Sequence, residues 1–521
     1  MTCAGQPSPP LTLGHPTPQP EEAVSTAIAE FQSQGVDMSN IITSTTGGDL
    51  TAHPLTPCVH TLRSSLQTLQ ATTAPPSEHK LTCLELKQSL DDINDILRTS
   101  TSSIGPVALS LRLIPSILQV YQWSNDIDGI YIHIEDVLVA AASTATLLLP
   151  LSPDLRRSFR ECEGPTLLVD ALTHSIKAGP MPLTHAILLA IAASTVKDEE
   201  GKGELMVAGL GQPVIQCLTT VNDGHKDEDN GSGSNSNNSS NAVVMAACGV
   251  LSSLMSADDD TVPSSRAFAN VRELGAQGAV EAVVGALRIL LSSFSSPDTD
   301  SNGSNGVGSE PIAIKTICSV CTALQKLSAN DEICRQVDDA GGVVLGLEAA
   351  DKGLRMHHVA LSKCSIALLR QLASSDVVKA EIVSGGGLEL VSTALRNVSQ
   401  SVLPVSVAEQ ALGLLTNCAL RSPEVAEAAV AQGVVAEALQ TMKHVLSLQK
   451  DGITSAAYGS VLRQGCMALR NIAGRSSEEV KEQVLAAGAE RVVRASRLEY
   501  PSACQDVGSA ALRDLGLNNY K

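Results

Sequence analysis

A glycine and an apolar pentad recur along this chain at spacings that favour a repetitive fold. Glycines that precede an apolar stripe lie at Gly164, Gly209, Gly278, Gly341, Gly386, Gly433 and Gly488. The steps between them are 45, 69, 63, 45, 47 and 55 residues. Steps of about 40 to 47 residues are typical of solenoids built from two- or three-helix repeats. Each interval also contains one apolar pentad, and a further pentad follows the last glycine, so both markers belong to one unit. The pentads are Ile187–Ile191, Val250–Leu254, Ala323–Leu327, Leu368–Leu372, Leu414–Cys418, Ala468–Ile472 and Ala511–Leu515.

The long steps are explained by insertions at one equivalent place in the unit. The extra residues lie at 222–241, 292–311 and 449–458, between the stripe after the glycine and the next pentad. The first two are rich in Gly, Ser, Asn and Asp and cannot bury enough apolar surface to become ordered. We therefore predict low-complexity loops at 222–241 and 292–311, on one edge of a stacked array.

The composition and the local signals favour helices. Aromatic residues make up only 2% of the chain, whereas sandwiches and barrels favour aromatic and β-branched side chains. Ser422-Pro423-Glu424 predicts a helix start, and Ser476 with Glu479 predicts a capping box. Each unit is predicted to be a helix, a glycine turn, a second helix, a connection and a third helix that contains the pentad. Within one pentad, Leu469 and Ile472 share a buried face and Asn471 is rotated away from it.

The domain organisation follows from where the pattern begins. Residues 1–60 are rich in Pro, Ser, Thr and Gly and are predicted to be disordered, with a short helical motif near 20–42. Residues 61–130 are predicted to form a helical N-terminal cap or a divergent repeat. Residues 131–518 are predicted to form the solenoid.

Charge and cysteine usage exclude several classes of function. The chain has 36 basic and 55 acidic residues, and a net charge of −19 does not suit a protein that binds nucleic acid or an anionic membrane. The apolar stretch Val137–Pro153 is shorter than the roughly 20 residues a membrane span needs and predicts a buried helix. The 13 cysteines are scattered rather than densely spaced and suggest a reduced compartment. We expect a monomer in the cytoplasm, with entry to the nucleus as an open alternative.

With a period near 45, a glycine turn and the segment Ala468-Leu469-Arg470-Asn471-Ile472-Ala473-Gly474, the chain resembles the armadillo-repeat family. The segment Glu21-Glu22-Ala23-Val24, followed by residues 31–42, resembles the N-terminus of one branch of that family. The resemblance implies an all-α, right-handed α-solenoid of three-helix repeats. It further implies a protein without enzymatic activity that binds extended segments of other proteins in a superhelical groove.

Candidate partner-binding residues cluster in the C-terminal half, where the charge is nearly balanced. Residues 1–262 hold 12 basic and 29 acidic residues, whereas residues 263–521 hold 24 and 26. Because Arg pairs with carboxylate or phosphate and Asn with peptide backbone, we predict a groove for an acidic or phosphorylated segment. Its candidate residues are Lys326, Arg370, Gln371, Asn417, Arg470, Asn471 and Arg513. The alternative is that these are solvated side chains on helix surfaces.

Two other functions are disfavoured. Import adaptors of the family pair each pentad Asn with a Trp four residues earlier, but Gly413 and Met467 occupy those positions and Trp123 is the only Trp. An enzyme with a site in the loops would need a catalytic motif, and the sequence offers none, nor any cofactor-binding pattern. Cys318-x-x-Cys321 has no second pair to complete a zinc site. We therefore expect no catalytic residue, cofactor or metal.

Overall fold

The computed structural model describes residues 53–71, 76–99, 104–125, 134–179, 181–224, 233–262, 265–293, 312–448 and 455–518. The predicted disorder of residues 1–60 and the motif near 20–42 lie outside these ranges up to residue 52. The predicted loop at 292–311 lies outside them from residue 294 onward.

The described residues form α-helices and one short 3-10 helix, Leu149–Leu151, and no strand. The α-helices, numbered α1 to α26 in chain order, are Leu55–Ala71, Pro76–Thr99, Ile104–Ser110, Leu113–Asn125, Ile134–Leu148, Pro153–Glu161, Gly164–Ala178, Met181–Ser194, Glu199–Val207, Gly211–Gly224, Gly233–Leu254, Ala267–Ala276, Ala279–Ser293, Ile312–Leu327, Asp331–Asp339, Gly342–Arg355, Val359–Leu372, Asp376–Ser384, Gly387–Ser399, Val405–Ala419, Pro423–Ala431, Val434–Ser447, Ala456–Ala473, Glu478–Ala486, Ala489–Glu499 and Pro501–Asp514.

The helices group into an N-terminal pair, α1 and α2, and eight three-helix units that begin at α3, α6, α9, α12, α15, α18, α21 and α24. The second helices pack in one row, from α1 and α4 through α25, and the third helices pack in another, from α2 and α5 through α26. Every neighbouring pair in both rows is in contact. The structure is therefore an all-α solenoid, which confirms the predicted fold class and the order of helices within a unit.

The turn between the first and second helix of a unit depends on a left-handed residue. Gly341 and Gly386 have φ of 87° and 95°, a region that glycine enters without steric cost. In the second unit the marker is displaced by one residue, because Glu163 has the positive φ of 60°. Gly164 is needed for a different reason, since a Cβ there would lie 2.2 Å from the ring of Phe159.

The pentads lie in a continuous apolar core that runs through all the units. Leu469 and Ile472 are 1% and 0% exposed, whereas Asn471 is half-buried on the other side of its helix. This agrees with the predicted faces of the pentad. Stability of such an array comes mainly from contacts within a unit and between neighbours.

Several predicted boundaries differ from the structure. The insertion at 222–241 is shorter than predicted, because α10 continues to Gly224 and α11 already begins at Gly233. Ser and Asn disfavour a helix only weakly, and a helix held by packing extends by one hydrogen bond per residue. The three-helix pattern begins at Ile104 rather than at 131, and the first helix begins at Leu55, before residue 60. The N-cap of α24 is Ser477, not Ser476.

The apolar segment Ile134–Leu151 is long and apolar enough to cross a membrane by length and composition, and half of its residues are buried inside the fold. Two bent helix pairs in the described residues also pass that test when each is counted as one span. In the structure, α5 packs against α2, α4 and α8 as a member of the third-helix row.

Candidate functional site

The third helices form one continuous surface, which we call the third-helix face. Positions on it are counted from the pentad of each unit, so that equivalent residues in neighbouring units can be compared. The fourth pentad position is occupied by Ala190, Ser253, Lys326, Gln371, Asn417, Asn471 and Asp514. Four of the seven predicted partner-binding residues belong to this set.

Side chains at the fourth pentad position donate hydrogen bonds to the preceding unit. Asn417 Nδ2 lies 2.7 Å from the carbonyl oxygen of Arg370. Asn471 Nδ2 lies 2.8 Å from that of Thr416. Both acceptors occupy the third pentad position of the previous unit, and Lys326 Nζ reaches the same acceptor position at 3.0 Å.

The acceptors explain why polar residues are needed there. The last four carbonyl groups of a helix have no partner within that helix. Arg370 lies in the last turn of α17 and Thr416 in the last turn of α20, so each amide satisfies a helix-end carbonyl of its neighbour. Gln371 does the same with a longer side chain, donating to the carbonyl oxygen of Ser328 at 2.8 Å. The Asn and Gln residues therefore connect adjacent units, and their amide oxygens remain as hydrogen-bond acceptors.

The predicted arginines also have partners within the chain. Arg370 donates to Gln410 Oε1 at 3.3 Å and lies against the backbone of Gly413. Arg470 and Arg513 approach the two carboxylate oxygens of Asp514, at 3.4 Å and 3.0 Å. The structure therefore places all seven predicted residues on or beside the third-helix face, where each already contacts another residue of the chain.

Three further cations on the third helices, not singled out from the sequence, form no ion pair with a described residue. Lys363 and Arg463 lie five residues before their pentads, and Lys315 lies one turn further back in its own unit. All three are exposed, and no ion pair involves any of them in the part of the chain that the structure describes. Counting back from the pentad, rather than within it, would have found this position.

The charge of the third-helix face changes sign along the solenoid. The third helices α14, α17, α20, α23 and α26 hold seven basic and three acidic residues, whereas α2, α5, α8 and α11 hold three basic and seven acidic. Two of the three acidic residues in the C-terminal set already have partners in the chain. Glu409 accepts a hydrogen bond from Ser460 at 2.7 Å, and Asp514 pairs with Arg470 and Arg513. The C-terminal part of this face is therefore cationic.

A second cluster, unforeseen from the sequence, lies at the edge where α9 begins, and we call it the edge cluster. Lys202 is 0% exposed, and its Nζ lies 2.7 Å from both Glu199 Oε1 and the carbonyl oxygen of Ser256. It also contacts Asp258 Oδ1. The second carboxylate oxygen of Glu199 accepts from the backbone N–H of Arg266 at 2.9 Å.

These contacts shift the pKa values of two acidic groups of the edge cluster. Burial raises the pKa of the Glu199 carboxyl, but the hydrogen bonds from Lys202 and Arg266 outweigh it, and the net pKa is below its usual value. The pKa of Asp258 is lowered in the same way, with burial opposed by hydrogen bonds from Lys202 and the backbone N–H of Lys197. The edge cluster is a satisfied ionic network, and its geometry indicates a structural role.

Metal and import-adaptor sites find no support among the described residues. No group of three or more His, Cys, Asp or Glu side chains there could hold a metal ion. Trp123 is 4% exposed and lies on α4, which is a second helix rather than a third. It therefore cannot form part of a groove-lining Trp–Asn pair.

Comparisons with known proteins show what this chain is similar to. The family described as the armadillo repeat-containing protein 6 N-terminal domain matches residues 18–67. Armadillo repeat-containing protein 6 of Homo sapiens is 26% identical over 418 residues, covering 78% of this chain and 70% of the relative. The Pongo abelii protein of the same name gives the same identity and coverage.

Among solved structures, an engineered protein aligns with a TM-score of 0.48 at 17% identity, covering 88% of this chain and 99% of its own. A designed armadillo repeat protein aligns with a TM-score of 0.40 at 17% identity, covering 58% of this chain and 99% of its own. The N-terminal match lies on the segment where the sequence first suggested it, and the sequence similarity extends over most of the solenoid. The chain is therefore similar to armadillo repeat-containing protein 6, at its N-terminus and over most of its length.

Proposed function

We propose that this chain is a scaffold without enzymatic activity that binds an extended acidic or phosphorylated segment of a partner protein across the third helices of units four to eight. The observation that carries the proposal is the excess of seven basic over three acidic residues on α14, α17, α20, α23 and α26. Lys363 and Arg463 are cations available to a ligand, because they are exposed and form no ion pair with any residue that the structure describes.

The stacking contacts support an extended ligand rather than a compact one. Equivalent positions recur once per unit along the face, so a chain lying across it meets the same kind of side chain repeatedly. Asn417 and Asn471 use their N–H groups between units and keep their oxygens as acceptors for peptide N–H groups. Arg470 and Arg513 could exchange Asp514 for a carboxylate or phosphate of the ligand, since exposed ion pairs contribute little. We place the protein in the cytoplasm, with the nucleus as an alternative, and as a monomer.

The test is a binding measurement with defined peptides. A fluorescently labelled glutamate-rich peptide and its phosphoserine counterpart are titrated with the intact chain and with Lys363→Glu/Arg463→Glu, and the anisotropy is recorded. Two lost attractions and two new repulsions, each of about 0.5 kcal/mol, add to about 2 kcal/mol and predict about thirtyfold weaker binding. Raising the salt concentration should weaken binding to the intact chain and have less effect on the variant.

The matched control is Lys177→Glu/Arg491→Glu. It changes the net charge equally, but on the second helices α7 and α25. Unchanged circular dichroism in both variants establishes that they are folded. Equal weakening by the control would mean that overall charge, not the third-helix face, attracts the peptide, and the proposal would then be wrong.

A further inference from the structure

Three thiols meet on the third-helix face between the fourth and fifth units. Cys318 and Cys321 lie on α14, and Cys364 lies on α17. Both other thiols are close enough to Cys364 to shift the pKa of its thiol, and Cys364 Sγ itself donates to the carbonyl oxygen of Leu361 at 3.3 Å. Cys318 and Cys364 are half-buried and accessible from solvent, whereas Cys321 is 0% exposed.

The contact between Cys318 and Cys364 follows from the stacking of the units. Cys364 lies four residues before its pentad, and Cys318 lies five residues before the pentad of the preceding unit. The equivalent pair one unit earlier is Ser319 and Met245, where Ser319 Oγ donates to the backbone carbonyl of Met245 at 3.2 Å. The same offset therefore brings these two positions together in successive unit pairs, and here both positions are cysteine.

The cluster is not arranged as a metal site, since no group of this kind with metal-binding geometry exists in the described ranges. Two thiols in contact across neighbouring helices can instead be joined by a covalent bond if an oxidant reaches one of them. We propose that Cys318 and Cys364 are an oxidation site that closes to a disulfide linking the fourth and fifth units.

The chemistry balances with hydrogen peroxide as the oxidant. The Cys318 thiolate attacks peroxide, giving a sulfenic acid and hydroxide, which takes up the thiol proton to become water. The Cys364 sulfur then displaces a second water from the sulfenic acid and forms the S–S bond. Two thiols are thus oxidised and one peroxide is reduced to two water molecules. Cys321, in contact with Cys364, can exchange into the bond as a third sulfur.

The pH dependence follows from the surroundings of Cys364. The neighbouring thiol of Cys318 lowers the pKa of the Cys364 thiol, but the thiol of Cys321 and burial raise it well above its usual value. Because the thiolate is the reactive form, closure is expected to become faster as the pH rises from 7 to 9.

The chain contains its own comparison. Cys466 on α23 and Cys504 on α26 are neighbouring thiols on two third helices of adjacent units, and each shifts the pKa of the other. Both residues are 0% exposed. The two pairs share the same chemistry and differ in access, so peroxide should discriminate between them while the protein stays folded.

The experiment treats the full-length reduced chain with hydrogen peroxide, blocks the remaining thiols with an alkylating reagent and maps the peptides by mass spectrometry without reduction. The Cys318–Cys364 linked peptide is expected to accumulate at least about tenfold faster than any Cys466–Cys504 link, because reaction at the buried pair requires local unfolding. In Cys364→Ser that product must be lost, whereas Cys162→Ser, which removes a half-buried thiol elsewhere, must leave its rate unchanged.

Two outcomes would overturn the proposal. Conversion of Cys318 to sulfinic acid in the intact chain without any link to Cys364 would show that the second sulfur does not reach the first. Equal rates for the half-buried and the fully buried pair would show that oxidation follows unfolding. A thermal denaturation curve recorded for each variant under reducing conditions separates loss of the disulfide from loss of the fold.

Discussion

Replacing Lys202 by methionine is expected to destabilise the third unit strongly. Lys202 is fully buried and donates to Glu199, Asp258 and the carbonyl oxygen of Ser256. Methionine fills the space of the aliphatic stem but supplies none of these donors. Asp258 is about one-third exposed and can be solvated, whereas the Glu199 side chain is only 4% exposed. One carboxylate is therefore left buried without its cation, a change that typically costs about 3–5 kcal/mol.

The assay must be local, because an array of repeats does not unfold as one two-state unit. Native-state hydrogen exchange of the amides in α9 reports the free energy of opening there. A loss of about 3–5 kcal/mol corresponds to about a hundredfold to several-thousandfold faster exchange. Amides in α23, four units away in the solenoid, should be unaffected.

A double variant tests whether the unpaired buried charge of Glu199 causes the loss of stability. Adding Glu199→Gln to Lys202→Met removes the buried charge, and the amide oxygen of Gln can still accept from the backbone N–H of Arg266. The double variant should therefore recover a large part of the stability lost in Lys202→Met. The reasoning is refuted if the amides of α9 in Lys202→Met exchange within about fivefold of their rate in the original chain, a difference of about 1 kcal/mol. A double variant less stable than the single one would refute it as well.

Three further outcomes are expected. The lowered pKa values of Glu199 and Asp258 stabilise the fold at a pH above the ordinary values of 4.5 and 3.8, and this stabilisation is lost as the pH falls through the lower folded-state values. The amides of α9 should therefore become less protected against hydrogen exchange below about pH 4.5. The variant Glu199→Gln should reduce that loss of protection. Asn417→Ala leaves the carbonyl of Arg370 without its donor and should cost about 1 kcal/mol, seen as about fivefold faster hydrogen exchange of the amides in α17, and unchanged exchange would contradict this. Gly386→Ala forces a Cβ into the left-handed region at φ 95° and should cost about 1–2 kcal/mol, measured as a lower thermal midpoint, although no atom lies within 4 Å of the new methyl group.

Much of the architecture was predictable because its signals are local. A left-handed turn needs glycine, and a helix that packs on both neighbours needs apolar residues at helical spacing. Both requirements recur in each unit, so the glycines and pentads identified the order of helices. The one displaced marker has a local reason too, since Glu163 takes the left-handed conformation that glycine takes elsewhere.

The roles of the polar residues were less predictable because they depend on how far one unit is shifted against the next. The sequence placed Asn417 and Asn471 on the inner surface, but it did not show that their amides reach helix-end carbonyls of the preceding unit. The third thiol beside Cys318 and Cys321 was missed for the same reason. It comes from Cys364, close to one period downstream, and only the stacking offset brings it near.

The edge cluster illustrates a different limit. Lys202 resembles an ordinary surface lysine on a short, charged helix, and its partners include a backbone carbonyl and an acidic residue from beyond the next pentad. No local pattern indicates such a set of partners. Burial of the ammonium group becomes favourable only when all of its donors are satisfied, and that condition is met by the folded connection after α11.

The contacts separate two tasks on the third-helix face. The fourth pentad position holds neighbouring units together, so a substitution there changes the relative placement of the units as well as the surface. The position five residues before the pentad changes from Cys318 to Lys363, Glu409, Arg463 and Asp506 along the last five units. Among the residues that the structure describes, Lys363 and Arg463 at this position form no ion pair. A change of partner specificity is therefore expected to depend on these two cations, because their charge can change without loss of such a pair, whereas Glu409 at the same position accepts a hydrogen bond from Ser460 of the next unit.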